Sequence, residues 1–451
     1  MEQFDVIVVG AGSGLTIVDS AASRGLKVAL VEQGPMGGTC LNRGCIPSKM
    51  LIHAADVAET IQNSSKFGIR SKISSVDFKG IVSRVSKIVD GDAREIEEGI
   101  REEKNITLFK TEGKFIGKKK MQVDSSTITA DKIFIMAGTR PLVPPIEGLE
   151  GSGFLTSKEA LRLKKLPKTL TIIGGGYIAA ELAHFFGSLG TKVNILQRDA
   201  LLIPREDQEV AETFTDVFRK KHNVFLGYNA EKVEKKSSKF VVTASHGKLK
   251  KTIKSDQLLL AVGRVPNSDV LEVNKAGIKT NERGYINTND YLETSAKGIW
   301  AGGDIAGKWL FKHSANLEAQ YMYQNAFDDE KMKVDYEPMP HAIFSSPQIA
   351  GVGAIENELK KGTYGVGKYE YIHTGMGTAI QDKTGFVKIL VDKQTRKILG
   401  CHIIGTDAST LIHEVIVAMK AGADLSYLTG TVHIHPALPE VVQRAAGNVE
   451  F

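Results

Sequence analysis

Two cysteines near the N-terminus are the residues whose spacing most clearly suggests chemistry. Cys40 and Cys45 lie in the run Gly-Gly-Thr-Cys-Leu-Asn-Arg-Gly-Cys-Ile-Pro-Ser-Lys, residues 37–49, where Pro47 predicts the start of a helix. The positive end of a helix dipole favours a thiolate over a thiol. Two thiols on one short loop can also close a disulfide that a neighbouring cofactor reduces. Two buried small hydrophobic residues are the alternative, but the glycine-rich approach and the helix start favour a redox pair.

A histidine near the C-terminus offers a proton carrier for such a pair. Glu440 follows His435 by five residues, so its carboxylate is able to orient the imidazole. An oriented imidazole can take and return the proton of a leaving thiolate. A lone histidine is more often structural, and we expect His433 to be a neighbour without a catalytic role. The third cysteine, Cys401, lies in the apolar run 399–404 and is interpreted as a core residue.

The first nucleotide-binding signal begins at the N-terminus. Residues 4–9 predict a buried parallel strand, which runs into a glycine-rich turn, a helix to about Arg24 and a second strand that ends at Glu32. Such a turn lets the backbone approach a pyrophosphate, and the acid can bind a ribose hydroxyl. Leu15 stands where the third glycine of these turns is usual, so we expect Gly14 to replace it only in part and the helix–strand packing to differ. The glycines of the turn are Gly10, Gly12 and Gly14.

A second signal of the same kind lies about 164 residues further along the chain. Residues 170–173 predict a strand, the turn carries Gly174 and Gly176, and a helix is predicted through Gly187 with a strand at 192–196 after it. Chance clustering of glycines is the alternative, but two copies in the same strand–turn–helix context make it improbable. The chain is therefore predicted to hold two nucleotides.

The end of the second unit bears on the choice of nicotinamide. An acid usually follows the second strand where NAD is bound, because it holds both ribose hydroxyls. Here Gln197 and Arg198 stand at that place, and Arg205 follows. A guanidinium binds phosphate bidentately, so the sequence favours NADP(H) over NAD(H). The alternative is that Arg198 is a surface residue and that NAD(H) binds without the acid.

Length and composition narrow the function classes. The chain has 451 residues, 42% of them hydrophobic, with a net charge of +6 and three cysteines. Three cysteines are too few for a secreted disulfide framework and favour a reducing, cytoplasmic setting. Neither a signal peptide nor an apolar run of the roughly 18–20 residues that span a bilayer is evident. The lysine runs 118–120 and 248–251 are interpreted as solvated loops or hairpins, so we expect no nucleic-acid partner. We also expect no membrane partner and no metal site.

Further motifs occur in a fixed order along the chain. Besides the cysteine run, they are Ala-Gly-Thr-Arg-Pro at 137–141, Gly-Arg-Val-Pro-Asn at 263–267, Thr-Ser-Ala-Lys-Gly-Ile-Trp-Ala-Gly-Gly-Asp at 294–304 and His-Ile-His-Pro-Ala-Leu-Pro-Glu at 433–440. With these motifs the chain resembles, over essentially its whole length, a class I pyridine nucleotide–disulfide oxidoreductase. This is the family of dihydrolipoyl dehydrogenase, glutathione reductase, mycothione reductase and mercuric reductase.

The resemblance implies an α/β fold with two Rossmann-like dinucleotide-binding domains, for FAD and NAD(P), and a C-terminal α+β dimerisation domain. Proline-rich segments at 141–145 and 338–340 mark junctions, and beyond about residue 336 the pattern changes to alternating strands with one helix at 409–421. We predict an FAD-binding domain at 1–148 and 266–335, an NAD(P)-binding domain at 149–265 and an interface domain at 336–451. The resemblance also implies a homodimer whose active sites are shared between subunits.

Roles for single reactive residues follow from the same resemblance. Cys45 is expected to face the flavin, and Cys40 to be the outer thiol that exchanges with substrate. Lys49 follows Cys45 by four residues, which on a helix puts both on one face, and its expected partner is Glu181 beside the isoalloxazine.

Cofactor contacts are implied as well. Asp304 is expected to bind the ribityl chain and the segment 310–313 to line the flavin, while Tyr177 stands where some relatives carry a tyrosine that gates the nicotinamide pocket. His435, oriented by Glu440, is expected to serve the cysteines of the partner subunit. The other residues implied to bind FAD or NAD(P), besides those of the two glycine turns and Glu32, are Gly38, Thr39, Lys49, Gly113, Gly138, Arg198, Gly263, Leu310 and His313.

The predicted function is FAD-dependent transfer of two electrons between a nicotinamide and a small disulfide or dithiol. Dihydrolipoamide is the default substrate, because many relatives use it. NADPH-dependent reduction of a low-molecular-weight disulfide is the close alternative, since Arg198, Leu15 and the run Ala-Leu-Pro-Glu-Val-Val resemble mycothione reductase. Mercuric reductase is less favoured, because no cysteine pair stands at the C-terminus. A flavin redox sensor without turnover is disfavoured by the complete set of reactive residues.

Overall fold

The computed structural model describes residues 1–451, which group into two units along the chain. Unit 1 comprises Met1–Met50, Gly80–Leu142 and Gly263–Tyr336. Unit 2 comprises Leu51–Lys79, Val143–Val262 and Glu337–Phe451. None of the helices combines the length and the apolar character needed to cross a membrane.

Twenty-one β-strands form the sheets of the two units. In chain order they are β1 Glu2–Val9, β2 Val28–Val31, β3 Ile106–Phe109, β4 Gly113–Gly117, β5 Lys120–Val123, β6 Ser126–Ile135, β7 Thr139–Pro141, β8 Thr169–Ile173, β9 Lys192–Gln197, β10 Asn223–Leu226, β11 Asn229–Lys236, β12 Lys239–His246, β13 Leu249–Ser255, β14 Gln257–Leu260, β15 Arg264–Pro266, β16 Ile299–Ala301, β17 Pro340–Ile343, β18 Gln348–Gly353, β19 Tyr364–Glu370, β20 Phe386–Asp392 and β21 Ile398–Gly405.

Twelve α-helices accompany these strands. In chain order they are α1 Leu15–Ser23, α2 Gly38–Arg43, α3 Cys45–Asn63, α4 Phe78–Glu102, α5 Ser157–Ala160, α6 Tyr177–Ser188, α7 Gln208–Lys221, α8 Lys312–Phe327, α9 Gly375–Ile380, α10 Ala408–Lys420, α11 Leu425–Gly430 and α12 Glu440–Gly447.

Unit 1 is built on a sheet in the order β3-β2-β1-β6-β5-β4, with β16 also paired to β6. Its central strand, β1, pairs in parallel with β2 and β6, and Val8 lies opposite Leu30 on one side and Phe134 on the other. Residues 6–9 of β1 are buried, which explains why this half of the strand is continuously apolar. Ile17 of α1 and Ala319 of α8 belong to the core cluster on one face. The strand–turn–helix–strand unit predicted at the N-terminus is confirmed.

Unit 2 contains three sheets. A parallel sheet in the order β10-β9-β8-β14 carries the second predicted nucleotide unit, with α6 following β8. An antiparallel sheet of β11, β12 and β13 accompanies it. The third sheet is antiparallel, in the order β17-β18-β21-β20-β19, and its core includes residues of α10 and α12. Cys401 lies fully buried in β21 within this core, as predicted.

The predicted fold class is confirmed, and one element prediction for the C-terminal part was wrong. That part has four helices rather than one, because α9, α11 and α12 join α10. Two of the missed helices are only six residues long and begin at polar caps, the side chains of Thr374 and Asp424. Segments this short show too little periodicity to indicate a helix. The boundaries between the three expected domains stay predictions.

Candidate active site

Cys40 and Cys45 lie on two consecutive helices of unit 1. Cys40 is in α2, whereas Cys45 is the first residue of α3, so the single helix start expected for both is replaced by two helices that break at Gly44. A side chain at Gly44 would lie 2.9 Å from the carbonyl oxygen of Thr39, which explains the glycine at the break. Both cysteines are free thiols and half-buried. The pair is therefore arranged as a dithiol on two adjoining helices.

A hydrogen bond joins the side chains of the two cysteines and is the largest influence on the pKa of Cys40. The hydrogen bond with Cys45 and burial raise the pKa of the Cys40 thiol, while the Lys312 ammonium opposes this and lowers it. The hydrogen bond and burial thus favour the protonated form of Cys40. A base must remove that proton before Cys40 can attack a disulfide.

Asn42 holds the cysteine loop in place. Its buried side-chain amide donates to the carbonyl oxygens of Met36, at 2.7 Å, and Gly38, at 2.9 Å. One side chain thereby fixes the approach to α2 and its first turn. Sequence reasoning did not single out Asn42, although its place two residues after Cys40 was a signal.

Lys312 brings a positive charge to the cysteine pair. It is the first residue of α8, and its Nζ donates to Oγ of Ser13 at 2.9 Å, while that hydroxyl donates to Oδ1 of Asn316 at 2.8 Å. Burial lowers the pKa of Lys312, and the charges of Cys40 and Cys45 raise it. The ammonium thus lies within electrostatic reach of both sulfurs and next to the first glycine turn. The resemblance implied that the segment 310–313 lines the flavin, but it gave Lys312 no role of its own.

The first glycine turn leaves no room for side chains on its inner side. Gly10 has φ +104°, and a Cβ there would lie 2.4 Å from the carbonyl oxygen of Met136. A Cβ on Gly38 would lie 2.8 Å from Cα of Gly12, so the cysteine loop packs directly against the turn. At Gly14 a Cβ would lie 2.3 Å from the carbonyl oxygen of Gly10. Gly14 therefore provides the close helix–strand approach that a third glycine usually provides.

The adenosine end of an FAD site is also recognisable. Oε2 of Glu32 accepts from the amide of Ala11 at 2.8 Å, and its Oε1 accepts from the amide of Gly34 at 2.6 Å, which fixes the carboxylate at the end of β2. A groove of about 650 Å³ beside it is lined by residues 33–35 and by α4. An acid, a bare glycine turn and an adjoining groove fit the ribose, pyrophosphate and adenine of FAD.

Three separate motifs meet around Asp304. Its Oδ2 accepts from the hydroxyl of Thr139 at 2.9 Å, and Nε of Arg264 donates to the same hydroxyl oxygen at 2.7 Å. The segments that carry Thr139 and Arg264 pair as the antiparallel strands β7 and β15. Burial raises the pKa of Asp304. The strand pair therefore positions the acid expected to bind the ribityl chain, and Thr139 is a partner that sequence reasoning missed.

The other residues expected around FAD all belong to unit 1, and their contacts with the cofactor stay predictions. Gly138 and Gly263 have φ of +62° and +120° next to the strands β7 and β15. His313, in the first turn of α8, stacks on Phe311 with ring centroids 5.2 Å apart. The remaining ones are exposed Thr39 in α2, Gly113 at the start of β4 and exposed Leu310 just before α8.

The second glycine turn lies between β8 and α6 in unit 2. Gly174 has φ +111°, and a Cβ there would lie 2.3 Å from the carbonyl oxygen of Ala261, whereas Gly176 faces open space. Tyr177 is the first residue of α6. Glu181, buried on the same helix, accepts from the amide of Phe344 at 3.1 Å. Lys49 lies one turn after Cys45 on α3, as expected, and its ion pair with Glu181 stays a prediction.

A buried amide replaces the usual acid at the end of β9. Nε2 of Gln197 donates to Oδ2 of Asp199 at 2.9 Å and to the carbonyl oxygen of Leu201 at 3.3 Å. The side chain of Arg198 next to it is 78% exposed, with Nε 3.8 Å from the other Asp199 oxygen. The site thus presents a guanidinium to solvent where an acid for two ribose hydroxyls is usual.

The structure brings His435 and Glu440 together. Nδ1 of His435 lies 2.9 Å from Oε1 of Glu440, whose Oε2 accepts from the amide of Ala437 at 3.0 Å. The hydrogen bond with His435 lowers the pKa of Glu440. The His435 side chain is 76% exposed, so Nε2 is accessible to a proton donor or acceptor. His433 also has a carboxylate partner, Glu414 at 3.0 Å, but its side chain is only 7% exposed.

Comparison of the sequence with known protein families identifies the family to which these features belong. Residues 4–343 match the family described as pyridine nucleotide-disulphide oxidoreductase, and residues 339–446 match the dimerisation domain of that family. The chain belongs to this family. The resemblance inferred from the motifs is therefore confirmed.

Relatives of this oxidoreductase extend over its whole length. Mycothione reductase of Mycobacterium tuberculosis is 37% identical over 460 residues, covering 99% of each chain. Dihydrolipoyl dehydrogenase of Chlorobaculum parvum is 34% identical over 455 residues, covering 98% of this chain and 96% of the relative. Among solved structures, the Cu(II) complex of the HOCl-induced flavoprotein disulfide reductase RclA from Escherichia coli has a TM-score of 0.89 at 29% identity and 99% coverage of each chain.

Membership of the family establishes the broad activity of this oxidoreductase. It is an FAD-dependent disulfide oxidoreductase that uses a pyridine nucleotide, as predicted from the two glycine turns and the cysteine pair. The match to the dimerisation domain supports the predicted homodimer.

Proposed function

We propose that this oxidoreductase reduces a low-molecular-weight disulfide with NADPH. The observation that carries the choice of nicotinamide is the end of β9, where Arg198 is exposed and Gln197 is turned inward to Asp199. An exposed guanidinium can form charge-assisted hydrogen bonds with a 2′-phosphate, whereas the buried amide offers no carboxylate to a ribose. The relative named mycothione reductase supports a small thiol disulfide as substrate.

When bound, FAD would supply two-electron transfer from NADPH, which would reduce the Cys40–Cys45 disulfide to the dithiol. The thiolate of Cys40 then attacks one sulfur of the substrate disulfide, which forms a mixed disulfide and releases the first thiolate. The thiolate of Cys45 attacks Cys40 in turn, closes the Cys40–Cys45 disulfide and releases the second thiolate. The balance is one NADPH, one proton and one disulfide converted to NADP⁺ and two thiols.

The proton transfers require a base close to Cys40. The raised pKa of Cys40, caused first by its hydrogen bond with Cys45, means that Cys40 must lose its proton to become the nucleophile. His435 of the partner subunit is proposed to accept that proton and to return it to the leaving thiolate. The hydrogen bond to Glu440 leaves Nε2 of the ring as the working atom.

A panel of substrates tests this proposal directly. Steady-state rates are measured with NADPH and NADH against mycothiol disulfide, glutathione disulfide, lipoamide and Hg(II). We expect kcat/KM for NADPH to exceed that for NADH at least tenfold, with a small thiol disulfide as the best acceptor. Arg198→Leu is expected to raise the KM for NADPH about tenfold, because a charge-assisted hydrogen bond is lost. Arg219→Leu, at another exposed arginine of unit 2, is the matched control. It should change neither the KM for NADPH nor the ratio of kcat/KM between NADPH and NADH.

The second candidate is dihydrolipoyl dehydrogenase, supported by the relative of that name. Fast reduction of NAD⁺ by dihydrolipoamide, with no preference for NADPH, would contradict the proposal and favour this candidate.

A further inference from the structure

Tyr177, Glu206 and His341 form a buried polar chain in unit 2. The hydroxyl of Tyr177, at the start of α6, donates to Oε1 of Glu206. The other carboxylate oxygen, Oε2, lies 2.8 Å from Nε2 of His341 on β17. Both oxygens of Glu206 are therefore engaged, one by each ring. Neither Glu206 nor His341 has a part in the electron transfer described above.

Because Glu206 is buried, the loss of either hydrogen bond carries a large free-energy cost. The Glu206 side chain is 1% exposed. Burial alone would raise the pKa of Glu206, but the hydrogen bonds with His341 and Tyr177 lower it. A buried carboxylate that loses one of two partners pays a desolvation penalty, because no water replaces the lost donor. Moving the Tyr177 hydroxyl away is therefore opposed by the carboxylate.

The pairing of β17 with β18 leaves space for the imidazole of His341. His341 lies opposite Gly351 in the pairing of β17 with β18, and a Cβ on Gly351 would lie 2.6 Å from Cε1 of the ring. The His341 ring also stacks on the Tyr177 ring, with centroids 6.1 Å apart and an interplanar angle of 23°. The imidazole thus supports both the carboxylate and the phenol ring.

The loop that carries Glu206 also returns to the glycine turn. The amide of Ile203 donates to the carbonyl oxygen of Gly175 at 2.7 Å. Glu206 follows three residues later, directly before Asp207, the N-cap of α7. Two contacts therefore hold the loop between Arg198, the expected 2′-phosphate site, and α7 against the second glycine turn. One is this backbone hydrogen bond and the other is the hydrogen bond from Tyr177.

We propose that Glu206, supported by His341, is a latch that holds Tyr177 closed at the nicotinamide pocket. The proposal rests on the proposed function and on the gating role that the family resemblance implies for Tyr177. Glu206 is a positioning residue, since it acts through Tyr177. Opening the pocket breaks the Tyr177–Glu206 hydrogen bond, so only a small fraction of the free enzyme has an open pocket. The apparent affinity for the nicotinamide nucleotide falls in proportion to that fraction.

Nucleotide binding to three variants tests the latch. The dissociation constant of NADP⁺ is measured by calorimetry on the oxidised, FAD-loaded enzyme for the wild type, Tyr177→Phe, Glu206→Gln and the double variant. We expect each single variant to bind NADP⁺ about tenfold more tightly, which equals about 1.4 kcal/mol. The double variant should bind no more tightly than Tyr177→Phe alone, because Tyr177→Phe removes the hydrogen bond that Glu206→Gln weakens.

The matched control is Tyr364→Phe. The Tyr364 hydroxyl donates to Oε1 of Glu356 at 3.0 Å in the same unit, so the substitution removes a tyrosine–glutamate bond of the same kind that involves neither Tyr177 nor Glu206. It is expected to leave the dissociation constant unchanged. Should Glu206→Gln fail to retain FAD, His341→Gln loosens the same carboxylate from its other oxygen and is expected to tighten binding as well.

Unchanged or weaker binding in Tyr177→Phe, or additive effects in the double variant, overturns the latch. That result is distinct from a failure of the proposed function. The latch is judged from nucleotide binding alone, whereas the proposed function fails when the wild type reduces no small disulfide with NADPH.

Discussion

At the scale of single residues, the two histidine–glutamate pairs near the C-terminus share their chemistry but differ in exposure. His435 is open to solvent and His433 is nearly closed off, at 76% and 7% side-chain exposure. We predict that Glu440→Gln lowers disulfide turnover about 100-fold, because the imidazole loses the carboxylate that orients it and stabilises its protonated form. The rate of flavin reduction by NADPH should stay the same in stopped-flow measurements.

Glu414→Gln is the matched control for that prediction, since it changes the partner of His433 in the same way. Its turnover is expected to remain within about twofold of the wild type, as surface and structural carboxylates contribute little to the chemical step. Equal losses in the two variants would show that His435 is not the base.

Lys312 yields a second prediction at this scale. Against the effect of burial, the charge of Cys45 raises the pKa of Lys312. The same interaction between the Lys312 ammonium and Cys45 favours the Cys45 thiolate. Lys312→Met is expected to shift the appearance of the long-wavelength thiolate–flavin band of the reduced enzyme to higher pH by about one unit. The band is followed by anaerobic pH titration. Lys312→Arg keeps the charge and should keep the wild-type midpoint, as should Lys308→Met.

Residue types and spacing predicted the reactive residues that belong to local motifs. Cys40, Cys45 and the His435–Glu440 pair each lie within a few positions of their partners, so one stretch of chain reveals them. Glu206 and His341 are 135 residues apart and meet only through the fold. No local pattern marks such a pair, which is why the latch was not predicted.

At the scale of elements, glycines have opposite effects in a turn and in a helix. A Cβ at Gly14 would lie 2.3 Å from the carbonyl oxygen of Gly10, whereas a Cβ at Gly99 in α4 meets nothing within 4 Å. We predict that Gly14→Ala lowers FAD retention and the melting temperature. Gly99→Ala should stabilise the protein by about 0.5–1 kcal/mol, because alanine favours the helix. Thermal unfolding with FAD release measured on the same samples checks both, and equal melting temperatures for the two variants would contradict the packing described for the turn.

Elements with a clear apolar pattern were predictable, and those fixed by single residues were not. The strands β1 and β8 and the helices that follow them read directly from buried runs and glycine turns. The break between α2 and α3 depends on the backbone at Gly44, which no periodicity shows. The role of Gly14, one position before the usual glycine, was predicted in part, because the sequence shows a glycine there but not how closely it packs.

At the scale of the whole molecule, a buried lysine ties together distant parts of unit 2. Nζ of Lys388 in β20 lies 3.0 Å from Asp207, 3.2 Å from Glu209 and 2.5 Å from Glu356, and its side chain is 1% exposed. Burial alone would lower the pKa of Lys388, but the carboxylates raise it. Its contribution to stability is therefore full below about pH 10.4 and is lost as the pH rises further.

We predict that Lys388→Met lowers the free energy of unfolding by about 3 kcal/mol, because the substitution leaves the buried carboxylate of Asp207 without its cation. Lys368→Met removes a half-exposed partner of Glu209 and should cost less than about 1 kcal/mol. Urea unfolding at neutral pH measures both. Similar losses for the two variants would show that the buried network does not hold unit 2 together.

Cys40 and Cys45 have distinct roles in the proposed transfer of electrons to a disulfide. This division of roles is tested most directly by anaerobic titration of Cys40→Ser with NADPH, followed by disulfide turnover on the same sample, with Cys401→Ala as the control for the third cysteine. We predict that Cys40→Ser retains FAD and the long-wavelength band of the Cys45 thiolate, while disulfide turnover falls about 1,000-fold or more. Full disulfide reductase activity in Cys40→Ser would contradict the account.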